Sequence, residues 1–511
     1  MNQNRPVLTA PPLPGTPGRP TRWPGLHGAA QGLAASGAAL ARPGPILLLA
    51  KDSDHARQLE AELLFFLAGQ PGAPPVLSFS PRETLPYDLF SEPAETTAAR
   101  LHTLYRLPTL QTGIVVSTVA ALLARLPPRS YIAAGCLVLK TGEHCSLNTW
   151  VSNLSEGGYR RAEIVTEPGD FAVRGGVLDL FPGASELPFR IELYDDEVES
   201  IRLFDPDSQR TVRRVEDVRI LPVREYPLDK ETIGRFRRQW HAQLDGDPAA
   251  AVLYKEISAG NAVPGAEYWL PLFFENTAVL FDYLPAGTLL VKTQEAEGTA
   301  AELWHEMQER YRERAQDPER PLLPPASLFL PPEELAAALE KLPTLLLEGG
   351  SPGMGASAPL PDLTLAPASE DPLAALRDFM KEQPLQRTLL TITAPGRREI
   401  TEALLHRSGL SAEYMQGWQD FLKGKTSLGV AVAPLERGLL LPGTGLALIG
   451  ETQLSLPGAA SPRLRRRSSA GEMVIRHLAE LSAGDAVVHE NHGTVAIGSW
   501  KINCGRIARE S

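Results

Sequence analysis

Two arginines and a tyrosine, Arg174, Arg190 and Tyr194, are the side chains best suited to recognising another protein. They lie between Phe171 and Arg210, a stretch with nine carboxylates and four arginines. A guanidinium is permanently charged and presents its N–H groups as a rigid fork, so Arg174 and Arg190 in this acidic field suit bidentate pairing with a partner carboxylate. Tyr194 adds a rigid, partly apolar ring of the kind that anchors interfaces. The same charges admit a second reading, in which both arginines pair internally with Glu192, Asp195 or Glu197.

Other candidate chemistry is weaker. A phosphate loop needs glycines, a lysine and a Ser or Thr where a strand turns into a helix, because amides and lysine must neutralise the phosphates. Gly25-Leu26-His27-Gly28-Ala29-Ala30-Gln31-Gly32 has the glycines but neither the lysine nor the hydroxyl. Gly424-Lys425-Thr426 has the ending, yet the position five before Gly424 is Gln419, so it reads as a surface loop. Cys136, His144 and Cys145 lack a second ligand pair at zinc spacing, and His489 and His492 lack carboxylate or thiolate company; both read as structural. No metal site and no catalytic constellation emerges.

These residues need a scaffold. Val177 to Phe181 and Phe189 to Tyr194 alternate apolar and polar residues as half-buried strands do, with Pro182-Gly183-Ala184-Ser185 as the turn. Arg174-Gly175-Gly176 leads in, and Asp195-Asp196-Glu197 turns toward a third strand, Ser200 to Phe204. Upstream, a helix from Gly25 to Leu40 precedes strands at Ile46–Ala50, Val76–Phe79 and Gly113–Thr118. Helices around Leu59–Leu67, Ala98–Leu107 and Val119–Arg125 alternate with them, which implies a doubly wound α/β domain. Downstream come the aromatic run Tyr268 to Phe274, read as core in preference to a base-stacking platform, and a helix over Glu302 to Arg314. Strands Thr388–Ile392 and Leu446–Ile449 around a helix at Arg397–Leu405 spell a second, smaller α/β domain, and the basic run Ser461 to Ser469 reads as a solvated linker.

Composition bounds the function. With 511 residues, several domains are expected. A net charge of −11 disfavours a general nucleic-acid coat. Three cysteines suit a reducing cytoplasm, and no apolar run reaches membrane-spanning length.

FAVRGGVLDLFP followed by SELPFRIELYDDEVESIRLFDPDSQR resembles the UvrA-binding module shared by the excision-repair protein UvrB and the transcription-repair coupling factors. Glu83 to Asp88, Glu267 to Phe274 and Gly484 to His489 are similar to the coupling factors as well. The resemblance implies an α/β multidomain chain: a tail at 1–24, a degenerate doubly wound UvrB-like domain at 25–136 and 223–348, and an inserted β-rich UvrA-binding module at 137–222. It further implies a linker at 349–358, the small α/β domain at 359–455, a basic linker at 456–472 and the first strands of a Tudor-like β-barrel at 473–493 that touches RNA polymerase. Residues 494–511 match nothing expected of the family, so a truncated barrel with open edges is anticipated.

By position, the resemblance assigns UvrA docking to Arg174, Arg190 and Tyr194, and polymerase contact to the region of Val487, Val488, His489, His492 and Gly493. It implies UvrA and the RNA polymerase β subunit as partners, the latter weakened by the truncation. ATP, Mg and DNA belong to the motor region of a complete family member, so this chain is expected to hold no cofactor, to be catalytically inactive alone and to be cytoplasmic. The recruiting portion of a coupling factor is the favoured reading; a stand-alone, non-catalytic UvrA-binding adaptor is the alternative.

Overall fold

The computed structural model describes residues 11–14, 16–144, 146–317, 319–350, 357–366, 371–382 and 387–454, with short strands at 486–489, 493–496, 500–503 and 506–509. The chain divides into two compact units, Met1–Ala459 and Ala460–Ser511.

In the first unit, β1 (Thr21–Trp23) leads through the glycine loop into α1 (Ala30–Ala41), followed by β2 (Pro45–Ala50), α2 (Ser53–Leu67), β3 (Val76–Phe79), α3 (Ala94–Arg106) and β4 (Gly113–Thr118). Strand β2 is apolar throughout because both its faces are covered: Leu47 and Leu49 enter one core, Ile46, Leu48 and Ala50 the other. Helix α2 starts where the Asp52 carboxylate accepts the His55 amide at 2.8 Å. Its Leu59, Leu63 and Leu67 are buried and Leu64 is exposed. Strand β1 lies inside the stretch expected to be a tail. Trp23 buries its ring and Thr21–Trp23 pairs with a strand more than 300 residues later, a partner that local pattern cannot show.

The module follows. Its entry strand β5 (Leu137–Lys140) and exit strand β12 (Asp217–Ile220) pair antiparallel, so the chain leaves and re-enters at one neck. Between them, β6 (Arg160–Arg161), β7 (Asp170–Arg174), β8 (Val177–Leu180), β9 (Phe189–Tyr194), β10 (Glu197–Phe204) and β11 (Thr211–Val215) form one sheet in the order β11-β10-β9-β8-β7-β6. The chain then returns to the first sheet with β13 (Leu289–Thr293) and β14 (Thr344–Leu347), giving the all-parallel order β1-β14-β13-β2-β4-β3. Tyr268, Trp269, Phe273 and Phe274 are buried in its core and are not available as a stacking platform.

A helix over Lys230–Gln243 begins at Asp229, whose carboxylate accepts the amides of Glu231 at 2.9 Å and Thr232 at 3.0 Å. Partial burial pushes this carboxyl up, but those amides win and hold it below 3.8. Asp229→Ala is expected to cost about 1 kcal/mol. Since a depressed carboxyl stabilises only while ionised, urea titrations should show the full deficit at pH 7, closing as pH falls below 3.8.

The small α/β domain comprises β15 (Arg387–Ile392), β16 (Glu413–Met415), β17 (Leu428–Val432), β18 (Leu439–Leu441) and β19 (Leu446–Gly450), ordered β16-β17-β15-β19-β18, with only β18 antiparallel. Gly424 caps the helix Trp418–Lys423, so Gly424-Lys425-Thr426 is a connection. Of the expected linker 349–358, Ser357 and Ala358 are anchored. The Ser357 hydroxyl accepts the His27 amide at 2.8 Å, and the Ala358 amide donates to Leu440 at 2.9 Å. Residues 351–356 of that linker and the basic linker 456–472 lie outside the described residues. Among the described residues no helix is long and apolar enough to cross a membrane.

In the second unit, Ala486–His489 pairs antiparallel with Gly493–Ala496, setting Val487 opposite Val495, Val488 opposite Thr494 and His489 opposite Gly493. Trp500–Asn503 pairs with Arg506–Arg509. Residues 494–496, in the stretch 494–511, thus pair with 486–488 in one two-stranded sheet, and Trp500–Asn503 with Arg506–Arg509 forms a second.

Candidate protein-docking site

Period-two alternation divides the module's sheet into two faces. Phe171, Leu178, Leu180, Ile191 and Ile201 point into its core, and the intervening residues form the other face. Register aligns that second face in rows: Ala172 opposite Asp179, Asp179 opposite Arg190, Arg190 opposite Arg202, and Arg202 opposite Arg214. Toward the sheet's end, Arg174 is opposite Val177 and Val177 opposite Glu192, two residues before Tyr194. Arg174, Arg190 and Tyr194 therefore share one face.

Two glycines make the tip. Gly175 takes a φ of +60°, which a β-branched residue resists, and closes the hairpin between β7 and β8. A side chain on Gly176 would press on the Leu193 carbonyl, which lies beside the 2.8 Å bond from the Leu193 amide to the Gly176 carbonyl. This close approach sets the β7–β8 turn against the end of β9 that carries Tyr194.

The three candidate side chains differ in availability. Tyr194 is 74% exposed. Arg174 is exposed and donates to the Glu163 carbonyl. Arg190 is not a free fork: its Nε and Nη2 hold Asp179 at 2.7 and 2.8 Å, and its guanidinium stacks 4.6 Å from the centre of the Phe204 ring. The Asp179 bond raises the Arg190 pKa further. The internal partner is Asp179, across the β8–β9 pair, not Glu192, Asp195 or Glu197. Glu192 is taken by Arg202 at 2.6 Å and by the Ser200 hydroxyl at 2.8 Å. The alternation of Asp179 and Arg190 already contained this signal once the hairpin register was known.

Sequence reading also missed Glu225, where the module's chain re-enters the α/β body. It is buried between Arg82 and Arg100, with Arg100 Nε at 3.2 Å. Cys136 is a free thiol, His144 contacts Asp196 at 3.1 Å, and no cluster among the described residues could hold a metal ion. Cys145 and His492 lie outside the described residues.

A parallel α/β body thus carries an inserted β module with one polar, arginine-rich face. Residues 137–226 match the UvrB interaction domain, and residues 379–454 match the D3 domain of MFD. The chain is 37% identical over 460 residues to the transcription-repair-coupling factor of Escherichia coli (strain K12), covering 88% of this chain and 39% of that protein. The Haemophilus influenzae counterpart is 35% identical, covering 83% and 37%, and the Myxococcus xanthus one is 27% identical, covering 93% and 42%. The two domain matches and the identity over 88% of the chain support an N-terminal portion of a transcription-repair-coupling factor, and the chain spans about two fifths of the length of these relatives.

Proposed function

We propose that this chain is the recruiting portion of a coupling factor, docking UvrA of nucleotide excision repair through the module so that repair reaches RNA polymerase stalled at DNA damage. The observation that carries the reading is an exposed aromatic, Tyr194, on the same face of the sheet as the exposed Arg174 within the UvrB interaction domain. A ring held on a strand loses little entropy on binding, and an exposed arginine supplies a carboxylate partner with its fork. Arg190 acts in this reading by fixing Asp179 and the row it belongs to, with Gln209 at 3.4 Å on its outer side.

The family relationship supports a degenerate UvrB-like role for the parallel sheet. It also supports a Tudor-like polymerase-interacting domain opening at Val487, Val488, His489 and Gly493, with the RNA polymerase β subunit as partner. ATP, Mg and DNA engagement are assigned to the motor region of a complete family member, and this chain is proposed to act without a cofactor and without catalysis.

Titration of purified UvrA onto the chain by calorimetry tests the docking. Arg174→Glu places a like charge against the partner's carboxylates and is expected to weaken binding at least about tenfold, with the chain's thermal midpoint unchanged. Unaltered affinity would remove Arg174 from the interface.

A further inference from the structure

The loop between β1 and α1 occupies the position of a phosphate loop, and the ligand's place there is filled by the chain itself. The Ala29 amide donates to the Gly438 carbonyl at 2.9 Å, and the Gly32 amide, in the first turn of α1, donates to Glu62 Oε2 at 3.2 Å. Glu62 is 1% exposed and sits so close that a side chain at Gly32 would collide with it; a side chain at Gly28 would collide with the Gly438 carbonyl. Arg437 grips the same carboxylate with Nε at 2.8 Å and Nη2 at 3.0 Å, while its Nη1 reaches Gln31 at 3.1 Å. Arg437 and Gly438 come from the small domain, more than 370 residues away in the chain from Glu62.

Helix N-termini attract anions, and a buried anion needs a counter-cation. The geometry points to an internal mimic of a bound phosphate: Glu62 takes the anion's place at α1, Arg437 takes the place of the missing lysine, and loop 433–438 closes the site, locking the small domain onto the α/β body. This assigns the small domain a task that its own residues do not reveal, to occupy the vestigial nucleotide site and make the two domains move as one. The packing beside the plug agrees. Phe66 of α2 meets Trp418 edge to face at 5.3 Å, and a single apolar cluster runs from Leu33 and Leu63 through Trp418 and Phe421 to Leu448. His55 completes the ring of contacts, 3.2 Å from Gln31 and 3.3 Å from Arg437.

Hydrogen exchange on the full chain reads the lock directly. In Arg437→Ala the Ala29 and Gly32 amides should exchange at least about tenfold faster, as local opening exposes them. The Glu62→Ala and Arg437→Ala effects should not add in the double variant, since each removes the same pair. Arg437→Lys, which keeps the charge without the fork, should fall between and carries the comparison if the alanine variant fails to fold. MgATP at millimolar concentration should leave the wild-type melting midpoint in place. Wild-type exchange rates in Arg437→Ala, additive single effects, or a stabilising shift with MgATP would each overturn the assignment.

Discussion

Tyr194→Ala is expected to weaken UvrA binding by about 30- to 1,000-fold, the range that corresponds to about 2–4 kcal/mol for a central aromatic anchor. The ring is 74% exposed, so its removal uncovers little of the module's core, and the thermal midpoint should stay where it is. That separation matters because the neighbouring candidate cannot offer it. Arg190→Ala strands Asp179, 5% exposed, without its cation, and is expected to lower both affinity and stability. Surface-immobilised UvrA with the two variants in parallel distinguishes an anchor from a positioning residue: Tyr194→Ala changes dissociation alone, Arg190→Ala changes dissociation and melting together. Tyr194→Phe keeps the ring and should recover most of the affinity. Binding by Tyr194→Ala within about twofold of wild type would place the interface elsewhere on the sheet.

What the sequence made legible was local. Apolar runs within Pro45–Ala50 and Gly113–Thr118 announce buried parallel strands, and the alternation in Val177–Leu180 and Phe189–Tyr194 announces a hairpin, because each pattern follows from the faces a strand must cover. Strand β7 escaped notice although it runs into the Gly175-Gly176 turn, since Phe171-Ala172-Val173 is an unbroken apolar run with no alternation to read. Long-range placement was not legible. Thr21–Trp23 joins the sheet through Leu345 to Leu347, and Arg437 finds Glu62 across 375 positions; neither contact leaves a periodic trace. At the candidate site, residue types identified the charged face, but the choice between a free and a paired Arg190 depended on cross-strand register. That register sets Asp179 directly opposite.

The largest stability effect is expected at Glu225. Arg82 and Arg100, one from the loop after β3 and the other from α3, converge on this carboxylate, which is 1% exposed. Arg100 also lies 4.7 Å from the centre of the Phe79 ring and donates to the Ser80 carbonyl, so neither arginine can swing out to water without disturbing the core. Glu225→Ala leaves two buried guanidinium groups without their anion and should cost about 3–5 kcal/mol in urea unfolding. Burial alone would push the Glu225 carboxyl up, but the two arginines outweigh it and hold it below 4.5. Because a depressed carboxyl contributes stability only while ionised, the deficit of Glu225→Ala should be complete at pH 7 and shrink as pH falls below 4.5. Nearby Glu92 and Glu267 run the other way: burial raises both, so their protonated forms favour the fold and their contribution fades as pH rises through their folded values. A deficit under about 1 kcal/mol at pH 7, or one that grows in acid, would mean that Glu92 takes over as the counter-ion to Arg82 and Arg100. In that case the junction between module and body does not depend on the residue where the chain re-enters it.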